Sequence, residues 1–172
     1  MSKGLRVLGH PLHAILSDFP LALLGTSLFW DAVALWRGES LWWAISFWNI
    51  ALGLAAALVA AAVGMYDYAA IEQSHPAQST GLRHMLLMFG MLGAYGTGLV
   101  VRGGSLPPSG MRLLAALALE GVGFLLLSAG GWYGGHLVFH HGIGRDAVAK
   151  DGGTSGVEPV TPQDVERQEE RR

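Results

Sequence analysis

The chain has 172 residues, enough for one domain, and only 14% are charged, against about 25% in a typical soluble protein. Hydrophobic residues make up 51% and are concentrated before residue 140, which argues for an integral membrane protein; a formal net charge of -2 suggests neither nucleic acid nor a polybasic membrane anchor. There is no cysteine, so disulfides, thiolate metal sites, cysteine-ligated iron–sulfur clusters and cysteine nucleophiles are excluded.

Residues 1–9 form a short basic arm carrying Lys3 and Arg6, followed by His10-Pro11-Leu12-His13. The arm and the first apolar segment look superficially like a signal peptide. Asp18 and Pro20 interrupt the apolar run, however, so the segment reads as an uncleaved span over 13–36. Either one kinked helix starts near His13, or an interfacial turn at 11–17 precedes a span from Asp18 to Trp36. In the second case Ser17 caps and Pro20 falls in the first turn, where a missing N–H costs little.

Arg37-Gly38-Glu39-Ser40 is a polar turn, and a second span covers 41–68. Trp42, Trp43 and Trp48 near its start and Tyr66 and Tyr68 at its end suit the two membrane interfaces. A polar connection, 69–82, contains Glu72, His75 and Pro76. The third span is expected over 83–101, a Gly/Pro/Ser loop follows, and the fourth is expected over 111–136. Residues 145–172 are polar and short of aromatics, and read as a disordered tail. The expected fold is therefore all-α, an integral membrane four-helix bundle (10–144) with a disordered polar C-terminal tail.

Four spans put both termini and the 69–82 connection on one side. Lys3, Arg6, Arg83, Arg145 and Lys150 lie there, against Arg37, Arg102 and Arg112 on the other, which favours cytoplasmic termini. His13 to Gly25 and His84 to Gly96 share one spacing, each opening the first helix of a hairpin, a two-fold echo within the chain. Gly90, Gly93, Gly96 and Gly98 in the third span, and Gly121 and Gly123 in the fourth, permit close helix contact; some would also leave room for a flat cofactor.

All seven histidines fall near the same membrane face. Neutral imidazole suits haem iron, zinc, copper or non-haem iron. His10 and His13 precede or open the first span, His84 opens the third, and His136 ends the fourth, so three elements offer imidazoles at similar depth, as bundle-core cofactor sites do. His10, His13, His84 and His136 are accordingly the candidate cofactor ligands, for haem b or for a Zn, Cu or Fe ion. Asp18 and Asp67 are candidate carboxylates orienting those rings, with helix capping as the other reading of Asp18. Arg83 or Arg145 would pair with haem propionates. His136 and His140 share a helix face, about 40° apart, if the helix continues that far. His141 would then point away, and His75 reads as a loop residue.

Glu120 lies near the bilayer midplane, roughly 15 Å along its helix. An intramembrane carboxyl is costly. It either relays protons or is protonated and hydrogen-bonded to Ser46, Asn49, Thr26 or Thr97. It sits roughly 24 Å from His136 along a straight helix, outside the histidine site.

Gly9-His10-Pro11-Leu12-His13 with Asp18-Phe19-Pro20, Gly64-Met65-Tyr66-Asp67-Tyr68, His84, and Gly134-Gly135-His136-Leu137-Val138 with His141-Gly142-Ile143-Gly144 resemble the bacterial four-helix membrane family catalogued as domain of unknown function 2231. The resemblance covers roughly residues 8–145 and implies four spans in a bacterial inner membrane. Some members look to be fused to Rieske-type iron–sulfur domains, which implies redox chemistry; this chain carries no such fusion. The resemblance singles out His10, His13, Asp18, Asp67, His84 and His136.

Three functions fit these residues. The first is a membrane redox protein that holds haem b and exchanges electrons with a quinone or another membrane redox protein. The second is a non-haem metal-binding membrane protein. The third is a non-catalytic membrane subunit or scaffold.

Overall fold

The computed structural model describes residues 4–104 and 106–144. The polar tail, with Arg145 and Lys150, and Lys3 of the arm lie outside the described residues. Four helices follow a small hairpin: β1 (Arg6–Val7), β2 (His10–Pro11), α1 (Leu12–Arg37), α2 (Ser40–Ala69), α3 (Ala77–Arg102) and α4 (Gly110–Phe139). Each helix is long and apolar enough to cross a membrane. The 30-residue helices α2 and α4 run about 45 Å at 1.5 Å per residue, longer than the ~30 Å hydrocarbon core, so their ends project toward water. Phe29, Leu52, Leu58, Val100 and Leu125 are exposed on surfaces that lipid would cover.

The local chemistry explains the boundaries. Helix α1 runs without interruption through Pro20, so the interfacial turn at 11–17 is absent. Ser17 is not a cap; its hydroxyl donates to His13 O at 2.7 Å inside the helix. Gly38 and Gly103 end α1 and α3 with φ of 72° and 73°, their N–H groups bonding Ala34 O and Leu99 O, a left-handed closure that glycine makes without steric cost. Helix α3 begins at Ala77, ahead of the expected start near Arg83. The reason is local: Ala77 N–H donates to His75 Nδ1 at 3.1 Å, so the histidine side chain satisfies a donor that the first turn leaves open.

The arm is also structured in its described part. β1 and β2 pair antiparallel around Leu8 and Gly9, both at positive φ. Leu12 N–H bonds Leu5 O at 2.9 Å, and Leu5 N–H bonds Asp67 Oδ1 at 2.9 Å. The arm is thereby tied to the end of α2.

Helix α1 packs extensively on α2 and α3 on α4, whereas the two hairpins touch each other sparingly. The hairpins repeat one another residue by residue. Pro20, Leu24, Ser27 and Asp31 are buried along α1 at the spacing of Met91, Tyr95, Gly98 and Arg102 along α3. Ser46, Ile50, Gly53, Ala57 and Ala60 of α2 match Ala116, Glu120, Gly123, Leu127 and Gly130 of α4 in the same way. Leu24 lies against Gly53, and Tyr95 against Gly123. The two-fold echo is thus a repeat of the whole hairpin, with Leu24, Ile50, Met91, Tyr95 and Leu127 forming the shared core. Tyr95 OH donates to Leu24 O at 2.9 Å and links the two halves. Of the glycines expected at helix contacts, Gly90, Gly98 and Gly123 meet the neighbouring helix, while Gly93, Gly96 and Gly121 face open space. The latter three lie off the packed stripes.

Candidate functional site

The hairpin repeat positions two histidines. His13, in the first turn of α1, bonds Ala60 O of α2 through Nδ1 at 2.9 Å. His84, early in α3, bonds Gly130 O of α4 through Nδ1 at 2.8 Å. A backbone carbonyl only accepts, so each Nδ1 carries the proton and each Nε2 keeps its lone pair. Such an outer hydrogen bond fixes tautomer and ring orientation in metal-ligating histidines. The two ring centroids are 6.3 Å apart, with planes at 84°.

Glycine makes these seats. A Cβ at Gly64 would stand 2.6 Å from His13 Cε1, and one at Gly134 would stand 3.2 Å from His84 Cε1. The motif glycines therefore let each imidazole lie against the backbone of the partner helix. Both rings line a cavity of about 390 Å³ between the hairpins, whose walls include Met85, Met88, Phe89 and Leu127. Its size falls within the range of cofactor sites, which are mostly apolar with a few placed polar groups. Pro11, Ile143 and Gly144 also border the cavity, and Arg6 Nη2 donates to Gly144 O at 3.5 Å. The two described ends of the chain thus meet beside it.

His75, His136, His140 and His141 form a second group. Helix α4 ends at Phe139, and the chain doubles back: His141 N–H bonds His136 O at 3.3 Å, Gly142 has φ 68°, and Ile143 N–H bonds Leu137 O at 3.0 Å. His141 therefore turns toward His136 rather than away from it. One ligand nitrogen each from His136, His140 and His141 lie within 4.8 Å of one another. His75 sits edge-on to His141 at 6.3 Å. Burial and the neighbouring His140, His136 and His75 hold the His141 imidazole below the ordinary histidine pKa.

Of the four expected ligands, then, His13 and His84 come together, and His136 joins His140 and His141 instead. His10 is exposed in β2. Asp18 is exposed on α1, while His13 uses the Ala60 carbonyl. Asp67 holds the arm through Leu5. His75 lies in the connection before α3, as expected of a loop residue, and its ring accepts the Ala77 N–H. Arg83 is exposed beside His84.

Glu120 has a different partner from those expected. Arg102 Nε donates to Glu120 Oε1 at 3.0 Å, and its Nη2 bonds Asp31 Oδ2. All three side chains are buried, and the guanidinium lies 5.4 Å from the Trp43 ring centroid. Arg102, counted from the sequence among the charges of one membrane face, is instead buried inside the bundle. It turns inward because acids on α1 and α4 face it. Ser46 bonds Ser27 O, and Asn49 bonds Thr26. Asp31 Oδ1 and Glu120 Oε2 have no hydrogen-bond partner among the described residues.

A family model described as "Predicted membrane protein (DUF2231)" matches residues 9–147. The chain belongs to that family. Its matched region contains both histidine groups, the buried ion cluster and all four helices. No match was found among curated proteins or among solved structures.

Proposed function

We propose that this multi-pass membrane protein is a redox protein holding haem b between His13 and His84. The observation that carries the reading is the matched seating of the two imidazoles. Each Nδ1 is fixed by a carbonyl of the neighbouring helix, each Nε2 is left for a ligand, and the rings stand 6.3 Å apart at 84° beside an apolar cavity. His13 and His84, with their Nδ1 atoms tied to carbonyls, would each offer Nε2 to the iron of such a group. The residues present therefore fit the group. Gly64 and Gly134 keep the rings against α2 and α4, and the Met, Phe and Leu walls suit a flat apolar macrocycle. When bound, haem b supplies one-electron chemistry. The protein supplies ligation, exclusion of water and a setting near one membrane face, where a quinone or another membrane redox protein would exchange electrons with it.

The test is an absorbance spectrum, oxidised and dithionite-reduced, recorded first on intact membranes and then on detergent-purified protein with elemental analysis. A sharp reduced α-band is expected, with about one iron per chain. It should be lost in His13→Ala and in His84→Ala, and kept in His136→Ala and His10→Ala. A featureless spectrum on intact membranes overturns the reading.

A further inference from the structure

We infer that His136, His140 and His141 form a second site, which binds a divalent first-row transition-metal ion such as Zn²⁺, Co²⁺ or Cu²⁺ at the membrane face. Nothing in the proposed haem seat requires this cluster, and it shares no ligand with His13 or His84.

The backbone assembles it. His136 and His140 are one helical step of four apart, so their rings share a face and stack with centroids 4.5 Å apart. His141 would leave that face if α4 continued. The reversal at the helix end brings its ring to 5.3 Å from His136 and 4.9 Å from His140. The three ligand nitrogens, within 4.8 Å of one another, need to close to about 3.4 Å to hold a tetrahedral ion at 2.0–2.1 Å. His136 and His140 are exposed and free to make that adjustment by side-chain rotation.

Two neighbours from α3 and its approach define the site further. Thr80 Oγ1 lies 3.2 Å from His141 Nε2. Thr80 is buried, so it holds the ring in place and leaves Nδ1 for the ion, the outer hydrogen bond that metal-ligating histidines usually have. His75 approaches His141 but is not a fourth ligand. Its Nδ1 accepts Ala77 N–H, which places its own proton on Nε2. Three imidazoles with a fourth position open to water is the donor set of catalytic rather than structural zinc sites. The all-imidazole set selects zinc, copper, cobalt or nickel over magnesium or calcium, which take oxygen ligands.

The experiment is a Co²⁺ titration of the full chain, purified without a histidine tag and stripped with chelator, followed by its visible d–d bands and by competition with Zn²⁺. One equivalent is expected to bind, with Zn²⁺ displacing it. His140→Ala, an exposed change that leaves the fold intact, should weaken binding at least tenfold. Thr80→Val should weaken it about 10–100-fold, with Thr80→Ser restoring it. His13→Ala should bind Co²⁺ like the wild type while losing any haem band, which separates failure of this site from failure of the haem reading. Less than one equivalent bound by the wild type, or equal affinity in His140→Ala, overturns the inference.

Discussion

Replacing Arg102 with Met tests how the dry end of the bundle is held together. Arg102, Asp31 and Glu120 are 4%, 1% and 0% exposed, and one guanidinium serves both acids. Removing one partner of a buried ion pair costs about 3–5 kcal/mol, because the other is left uncompensated. Here two acids lose their partner at once, and the contact with Trp43, worth about 0.5–2 kcal/mol, goes with it. These contributions overlap, so the expected loss is about 3–5 kcal/mol. For a protein of this size 1 kcal/mol moves the midpoint by roughly 2–4 °C, which predicts a fall of about 6–20 °C. The assay is thermal unfolding in one detergent at one scan rate, followed by far-UV circular dichroism. The triple variant Arg102→Met, Asp31→Leu, Glu120→Leu should recover most of the loss, since apolar replacements of a buried ionic cluster are often neutral or better. A fall below about 2 °C for Arg102→Met, or a triple variant as unstable as the single one, would refute the reasoning.

Other outcomes follow from the same geometry. Gly64→Ala should damage the His13 seat more than Gly134→Ala damages that of His84, because the added Cβ stands 2.6 Å from one ring and 3.2 Å from the other; the reduced α-band in membranes reports the difference. Tyr95→Phe removes one buried hydrogen bond and should cost about 1 kcal/mol. Gly123→Ala pushes a Cβ to 2.6 Å from the Tyr95 ring and should cost about 1–3 kcal/mol as overpacking; both are read from thermal midpoints. In metal-free protein, imidazole NMR should find His141 titrating below the ordinary histidine value of about 6.5, and His140→Ala should raise it. Since the folded protein disfavours that proton, this group lowers stability as pH falls through and below the ordinary value, and His141→Asn should reduce the acid loss.

The spans were legible because hydropathy over some twenty residues outweighs every local irregularity, Pro20 included. The histidines were legible as candidates but not as two groups. Grouping depends on how one hairpin meets the other, which spacing within a single helix does not encode. His141 was misplaced by extending α4 through it, although Gly142 marks the stop, since a left-handed glycine closes a helix there. Arg102 enters the sequence reading only as one charge at the far membrane face. Carrying the His13–His84 spacing onward would have set Arg102 at the position of Asp31 and suggested their meeting. The early start of α3 was hidden because the His75 ring, rather than the usual Ser, Thr, Asp or Asn, accepts the Ala77 N–H of its first turn.

That correspondence of Asp31 with Arg102 bears on how such a fold could arise. Two identical hairpins joined as a symmetric dimer would bring the same residue from each copy to this spot, aspartate against aspartate or arginine against arginine. The aspartate pairing would bury like charges with no base, and in the arginine pairing each guanidinium would have only the Glu120 of its own hairpin. Opposite charges here require two halves whose sequences differ, and a single continuous chain lets them differ. The attraction also sets the halves apart from each other: the first hairpin, with its acid, is matched by the second, with its base, and poorly matched by another copy of itself. The buried pair thereby favours one hairpin of each kind over two of the same kind.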